Sequence, residues 1–112
     1  MTESEFTQQV DDIIMQIEDA LDELDVDIDY ESAAGILTIF VEHKDQANKT
    51  QLIISRQIAA MQLWLAAKSG GFHFNYDEQK GWIDERSGET FQDALNRCLT
   101  EQTGEPVDIE LD

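Results

Sequence analysis

The chain has 112 residues, a length that fits one domain with a single hydrophobic core. Its formal net charge is -18, while 41% of its residues are hydrophobic. Such a charge repels nucleic acid and anionic lipid and attracts basic proteins and metal cations, and the apolar content argues against a disordered acidic tail. Because the chain has one cysteine, no run of transmembrane length and no signal-peptide pattern, we expect a cytoplasmic protein without an intramolecular disulfide.

The first predicted element is an amphipathic helix over residues 4–24. Apolar residues from Phe6 to Leu24 recur at steps of three and four, which gives one apolar stripe. The period then changes to two, because acidic residues alternate with Val26, Ile28 and Tyr30. This alternation predicts a strand over residues 25–31 with one buried face.

Further strands are predicted after the first one, and turns or polar loops separate them. They are expected at residues 36–42, 51–56, 61–67, 72–76 and 82–85, with turns at 33–35 and 69–71 and a loop at 43–49. A second helix is predicted over 90–102, where Thr90 and Asp93 resemble a capping box. The alternating tail VDIELD is expected to pack its apolar side against the helices.

These elements predict an α+β fold in a single domain over residues 1–112. Short connections favour antiparallel pairing, and two helices with one apolar stripe each favour a two-layer α-β sandwich. The predicted order is helix, antiparallel sheet of about five to six strands, helix, with both helices on one face of the sheet. The other face of the sheet would then meet water.

An acidic segment covers the end of the first helix and the first strand. Residues 17–31 contain eight Asp or Glu residues and no Lys or Arg. Like charges four residues apart, and acidic residues at a helix C-terminus, each cost a few tenths of a kcal/mol or more. Two explanations stay open: a solvated face of an acidic protein, and a binding surface for cations and a basic partner. A solvated face is the usual explanation of a charge run, but the clustering against the helix dipole makes the second explanation as good as the first.

The kind of metal site that this segment could form is restricted by its residues. Carboxylate oxygens suit hard cations such as Fe²⁺, Fe³⁺, Mn²⁺ or Ca²⁺. An EF-hand is excluded, because Tyr30 stands where that loop requires Gly and Ile36 where it requires Glu. No His or Cys lies in the segment, and His43 and His73 are interpreted as surface histidines. We therefore expect weak, exposed and multiple cation binding.

The segments ISRQIAAMQLWLAAKSGGFHF and GWIDERSGETF, together with the acidic first helix, resemble the frataxin family and most closely its bacterial branch. The resemblance covers about residues 4–104. It implies a non-enzymatic regulator or adaptor of iron–sulfur cluster assembly that binds Fe²⁺ and Fe³⁺ weakly and reversibly. It also implies docking on the cysteine desulfurase, with the cluster scaffold protein as a further candidate partner. By position, the metal-binding acidic ridge would consist of Asp11, Asp12, Glu18, Asp19, Asp22, Glu23, Asp25, Asp27, Asp29 and Glu31.

A second predicted surface contains Trp64. Alternation places Trp64 on the side of its strand away from Leu63 and Leu65, hence on the open face of the sheet. A large aromatic there either marks an interface or is covered by neighbouring long side chains, and the sequence alone leaves both explanations open. The resemblance to the frataxin family favours the interface. The predicted partner-binding residues are Glu18, Asp19, Asp22, Glu23, Gln57, Gln62 and Trp64. Trp82, the pair Gly70-Gly71 and Cys98 are assigned structural roles, with the two glycines in a turn.

Two other functions stay open. A ferroxidase or iron-storage protein would need a buried paired site, commonly built from Glu-x-x-His elements, and the sequence has no such element. An acidic mimic of nucleic acid is compatible with the charge but does not account for the Trp64 segment. No catalytic residue is predicted. We expect a monomer, with oligomers possible when iron screens the charge.

Overall fold

The computed structural model describes residues 1–26, 28–42 and 49–111. Its two helices and six strands follow the predicted order. They are α1 (Glu3–Glu23), β1 (Ile28–Ala33), β2 (Ile36–Glu42), β3 (Lys49–Gln57), β4 (Gln62–Ala67), β5 (Gly70–Asp77), β6 (Gly81–Ile83) and α2 (Phe91–Thr103). A short 3-10 turn at Ile58–Ala60 joins β3 to β4. The predicted loop at residues 43–49 lies, except for Lys49, outside the described residues.

The strands form one antiparallel sheet in the order β1-β2-β3-β4-β5-β6. One face of the sheet is buried beneath both helices, because alternate residues such as Leu37, Ile39 and Ile54 are fully buried with the apolar stripe of α1. The other face, here called the open face, carries no helix among the described residues. This is the predicted two-layer α-β sandwich.

Helix α1 begins with a reciprocal cap that the sequence analysis did not identify. The backbone N–H of Glu5 donates to the Thr2 hydroxyl at 3.1 Å, and the Thr2 N–H donates to the Glu5 carboxylate at 3.0 Å. These bonds satisfy two of the N–H groups that a helix start leaves unpaired. The bond from the Thr2 backbone also lowers the pKa of Glu5 below its usual range.

Several predicted boundaries were wrong. Strand β3 begins at Lys49, which was predicted as loop, and β6 ends at Ile83 and not at residue 85. The strand expected from residue 25 begins at Ile28, and Asp25 precedes it as an exposed residue. The turn expected at residues 69–71 lies at Lys68 and Ser69, and both glycines belong to β5. Gly70 has a φ of +148°, which a side-chain-bearing residue rarely adopts, so its role is to start the strand directly after the turn.

The tail after α2 is held by side chains of that helix. The Thr100 hydroxyl accepts from Val107 N–H, the Asn96 side chain exchanges two bonds with the Ile109 backbone, and Gln92 accepts from Leu111 N–H. Positions four apart on a helix are about 6 Å apart, close to the spacing of roughly 6.6 Å between alternate residues of an extended chain. The match lets successive helix turns bind every second tail residue. Val107 and Ile109 are buried, as the alternation predicted.

The residues that were assigned structural roles are part of the core, apart from the two glycines described above. Cys98 is completely buried, and burial raises the pKa of its thiol. Trp82 is 8% exposed and packs edge-on against Phe6, with ring centroids 5.7 Å apart. Both predictions are confirmed.

Candidate functional site

The acidic ridge is held on two elements. The C-terminal half of α1 lies beside β1, which is an edge strand of the sheet. The Tyr30 hydroxyl on β1 donates to an Asp22 oxygen on α1 at 2.8 Å, and the Ser32 hydroxyl donates to Glu18 at 3.4 Å. The bond to Asp22 raises the pKa of Tyr30 above its usual value. Neutral hydroxyls therefore tie the ridge to the sheet without cancelling its charge.

The strand part of the ridge points away from the helix layer. Ile28 and Tyr30 pack against the core, so the alternation of β1 directs Asp29 and Glu31 to the open face. Both residues are exposed. The ridge thus continues around the edge of the sheet, from the helix layer to one corner of the open face.

Other members of the ridge are separate from this group. The Asp11 carboxylate forms an ion pair with Arg56 of β3 at 3.0 Å. Asp12 accepts a bond from Gln8 at 3.0 Å. Glu18 is two helical turns further on than Asp11, about 10 Å along the axis. The predicted residue Asp27 lies outside the described residues, while Asp19, Glu23 and Asp25 are exposed.

The arrangement provides scattered carboxylates. Within residues 1–26, 28–42 and 49–111, no three His, Cys, Asp or Glu side chains stand close enough together to hold a metal ion. The donor set still suits hard cations, since every member of the ridge offers carboxylate oxygens. Weak cation binding spread over the ridge stays a prediction.

The turn before β2 joins the ridge to the sheet. Ala34 and Gly35 both have positive φ, 53° and 77°, as a two-residue turn between antiparallel strands requires. A Cβ atom on Gly35 would collide with the side chain of Arg56. Gly35 is therefore needed for its φ and for the space that the Arg56 side chain occupies on its way to Asp11.

Trp64 lies on the open face, where alternation placed it, and is half-buried. Its ring stacks on the exposed His73 of β5 with centroids 4.0 Å apart and planes 7° from parallel. Its indole N–H donates to Gln62 at 2.8 Å, and the Gln62 amide donates in turn to Asn75 at 3.3 Å. These contacts fix the orientation of the indole before any partner arrives.

The stack on His73 was missed by the sequence analysis. In the register of β4 and β5, which are joined by the Lys68–Ser69 turn, Trp64 is directly opposite His73. This pairing can be predicted from the sequence only if the turn is placed at Lys68 and Ser69. Gln57 is opposite Gln62 on β3, where its side chain donates to Ser55 at 3.4 Å. The predicted partner-binding residues of the open face are thus neighbours.

The two predicted surfaces are close enough to be covered together. Glu31 on β1 and Trp64 on β4 are separated by three strand spacings, about 14 Å across the sheet. A standard interface buries about 800 Å² on each partner. One partner could therefore contact the strand part of the ridge and Trp64 at once.

The comparisons with known proteins agree on one family. A model described as a frataxin-like domain matches residues 1–105. Proteins named iron-sulfur cluster assembly protein CyaY are similar over nearly the whole chain. The protein from Pseudomonas aeruginosa is 49% identical, covering 97% of both chains, and that from Azotobacter vinelandii is 44% identical, covering 97% of this chain and 96% of its own.

A solved structure supports the fold directly. The frataxin from Psychromonas ingrahamii superposes with a TM-score of 0.83 at 37% identity, and the match covers 99% of this chain and 100% of that one. Among the residues that the structure describes, no helix is long and apolar enough to span a membrane.

Proposed function

This chain belongs to the frataxin family, of the bacterial CyaY type, and from that membership we propose that it serves in iron–sulfur cluster assembly. Its role there is that of an adaptor that docks on the cysteine desulfurase and regulates cluster synthesis. The main support for docking through the ridge is the acidic segment. Eight carboxylates and no basic residue occupy residues 17–31, at the helix end where acids are least favourable.

Docking through the ridge is an electrostatic event. A surface with one sign of charge attracts a basic patch over a Debye length, about 8–10 Å at ordinary salt, and speeds association. Charge alone gives little short-range specificity. Trp64 supplies that specificity, because its ring is pre-oriented by His73 and Gln62.

Iron is the proposed cargo of the same ridge. Fe²⁺ or Fe³⁺ bound weakly to carboxylates would neutralise part of the charge that attracts the desulfurase. Iron would then weaken docking, and cluster synthesis would respond to the iron level. Titration of Fe²⁺ into the complex without oxygen tests this step: desulfurase affinity should fall as iron rises, and an affinity that does not change removes the iron-sensing part of the proposal.

The docking experiment is calorimetry with a bacterial cysteine desulfurase at low and high salt. We choose the variant Asp19→Lys with Glu23→Lys, since both side chains are exposed and Asp22 already accepts a bond from Tyr30. The matched control, Asp108→Lys with Glu110→Lys, makes the same change in net charge at two exposed tail positions.

Wild type and control should bind with an affinity that falls as salt rises, and the ridge variant should lose that binding. Equal loss in both variants would mean that net charge, not the ridge, attracts the desulfurase. The ridge variant should also be more stable by about 1 kcal/mol, because lysines interact favourably with the negative end of the helix dipole and the lysine at position 19 attracts Asp22 three residues on.

Oxygen consumption separates this proposal from the alternative of a ferroxidase or iron-storage protein. An adaptor should consume oxygen no faster than free Fe²⁺ does under the same conditions. Faster uptake, lost on mutation of ridge carboxylates, would favour the oxidase.

A further inference from the structure

A pocket of about 430 Å³ lies between the N-terminal half of α1 and the hairpin of β5 and β6. Of the residues that line it, only Asp12 belongs to the acidic ridge, and none is a predicted desulfurase contact. Asp12 and Ile13 line it from the helix, and Tyr76, Glu78 and Trp82 line it from the hairpin. It therefore combines aromatic rings and carboxylates in one concave surface.

The aromatic part of the pocket lining consists of the rings of Tyr76 and Trp82, which meet at an angle. The centroids of Tyr76 and Trp82 are 5.4 Å apart, and their planes are inclined at 65°. Tyr76 is 41% exposed, so one of these two rings meets solvent. Trp82 is held from behind by its edge contact with Phe6. Rings fixed in this way attract a cation through their electron-rich faces.

The charged part of the pocket is held in place as well. The Asp77 carboxylate accepts the backbone N–H groups of Gln79 and Lys80 at 2.8 and 3.0 Å, which fixes the turn that carries Glu78. Those two bonds also lower the pKa of Asp77. Asp12 is held by Gln8. The turn places Glu78 in the lining of the same pocket as the rings.

The balance of charge selects a cation. Among the described residues, no Lys, Arg or His lines this pocket. Lys80 lines the adjoining one, where Asp93 is also present. The net charge of -18 raises the local concentration of cations further. A guanidinium fits this lining better than an ammonium, because its planar group can stack on a ring while its N–H groups bind a carboxylate.

We propose that this pocket binds an arginine side chain of a partner protein. The site is anchored on Tyr76, Trp82 and Glu78, and it gives the molecule a second contact for a basic partner besides the acidic ridge. Its recognition is short-range and specific for the shape of the guanidinium. It therefore distinguishes arginine from a neutral side chain of the same size.

An NMR titration of the ¹⁵N-labelled full chain tests the proposal. The probe is the capped peptide acetyl-Gly-Arg-Gly-amide, and the control peptide carries citrulline, a neutral near-isostere of arginine. With the arginine peptide, the indole N–H of Trp82 and the amides of Tyr76 and Glu78 should shift most, while the indole of Trp64 serves as an internal reference. The citrulline peptide should produce at most small shifts.

Two variants locate the site. Glu78→Gln and Tyr76→Leu should each weaken binding of the arginine peptide about two- to fivefold, whereas Asp108→Asn, which removes one exposed carboxylate of the tail, should leave the affinity unchanged. Equal binding of both peptides would overturn the proposal. So would shifts that spread evenly over the acidic residues, or a loss of affinity in Asp108→Asn as large as in Glu78→Gln. If Tyr76→Leu does not fold, the two peptides on the wild-type chain decide.

Discussion

The acidic ridge and the open face meet solvent in opposite ways. The ridge carries single-sign charge, and its side chains are tethered by the hydroxyls of Tyr30 and Ser32. The open face around Trp64 carries amides and stacked rings that are connected by hydrogen bonds. Charge acts at a distance and is screened by salt, whereas packing acts only on contact. The difference predicts that the ridge sets how fast a partner arrives and the open face how long it stays.

Among single substitutions, the largest effect should come from Trp64→Ala. Aromatic residues at the centre of an interface commonly contribute about 2 kcal/mol or more, so desulfurase affinity should fall by about thirtyfold. The salt dependence of desulfurase affinity should be the same in this variant as in the wild type, because the substitution changes no charge. Calorimetry at two salt concentrations measures both quantities, and a thermal melt checks folding. A changed salt dependence would show that the two surfaces do not act separately.

The next effect concerns the link between ridge and sheet. Gly35→Ala forces a side chain into φ +77° and against Arg56, and thereby disturbs the Arg56–Asp11 ion pair. The control Gly81→Ala has φ +79° and open space around the new Cβ. We expect the free energy of unfolding to fall by about 1–2 kcal/mol in the control and by more in Gly35→Ala. Chemical denaturation measures both, and equal losses would show that Arg56 moves aside without cost.

A smaller effect is expected where the ridge meets β1. Tyr30→Phe removes the hydrogen bond to Asp22 and should lower stability slightly at neutral pH. That bond raises the folded pKa of Tyr30 above its unfolded value near 10, so its contribution is present below pH 10 and lost as pH rises through the folded pKa. The difference in free energy of unfolding between wild type and Tyr30→Phe should therefore disappear at high pH. A stability difference that stays constant at high pH would show that the hydrogen bond to Asp22 does not contribute to stability.

The smallest effect should lie at the start of α1, and it should disappear at acid pH. Glu5→Ala removes the carboxylate that accepts from the Thr2 backbone N–H and should lower stability slightly near neutral pH. The folded pKa of Glu5 is lowered, so the contribution of its bond is present above the unfolded value and lost as pH falls through the folded one. The difference between wild type and variant should therefore shrink below about pH 4. Partner affinity should not change, and this separates the cap from both surfaces.

The sequence predicted correctly those helices and strands whose pattern depends on residues a few positions apart. The stripe from Phe6 to Leu24 located α1 to within one residue at either end, and β2 was predicted with its observed bounds. The cap of Thr2 and Glu5 was also readable, as Thr-x-x-Glu before an apolar stripe. The turn near Gly70 was misplaced, because glycine signals a turn in sequence although a strand also tolerates it at its start.

What the sequence determined by itself is the charge, the periodicities and hence the layered fold, because these depend on residues a few positions apart. It also located the acidic ridge, since the segment from Glu18 to Glu31 is continuous in the chain. Only the tertiary structure decided the contacts between distant positions: Arg56 with Asp11, Trp64 with His73, and Tyr76 with Trp82 beside α1. These contacts depend on strand register and helix placement, which the whole core sets cooperatively.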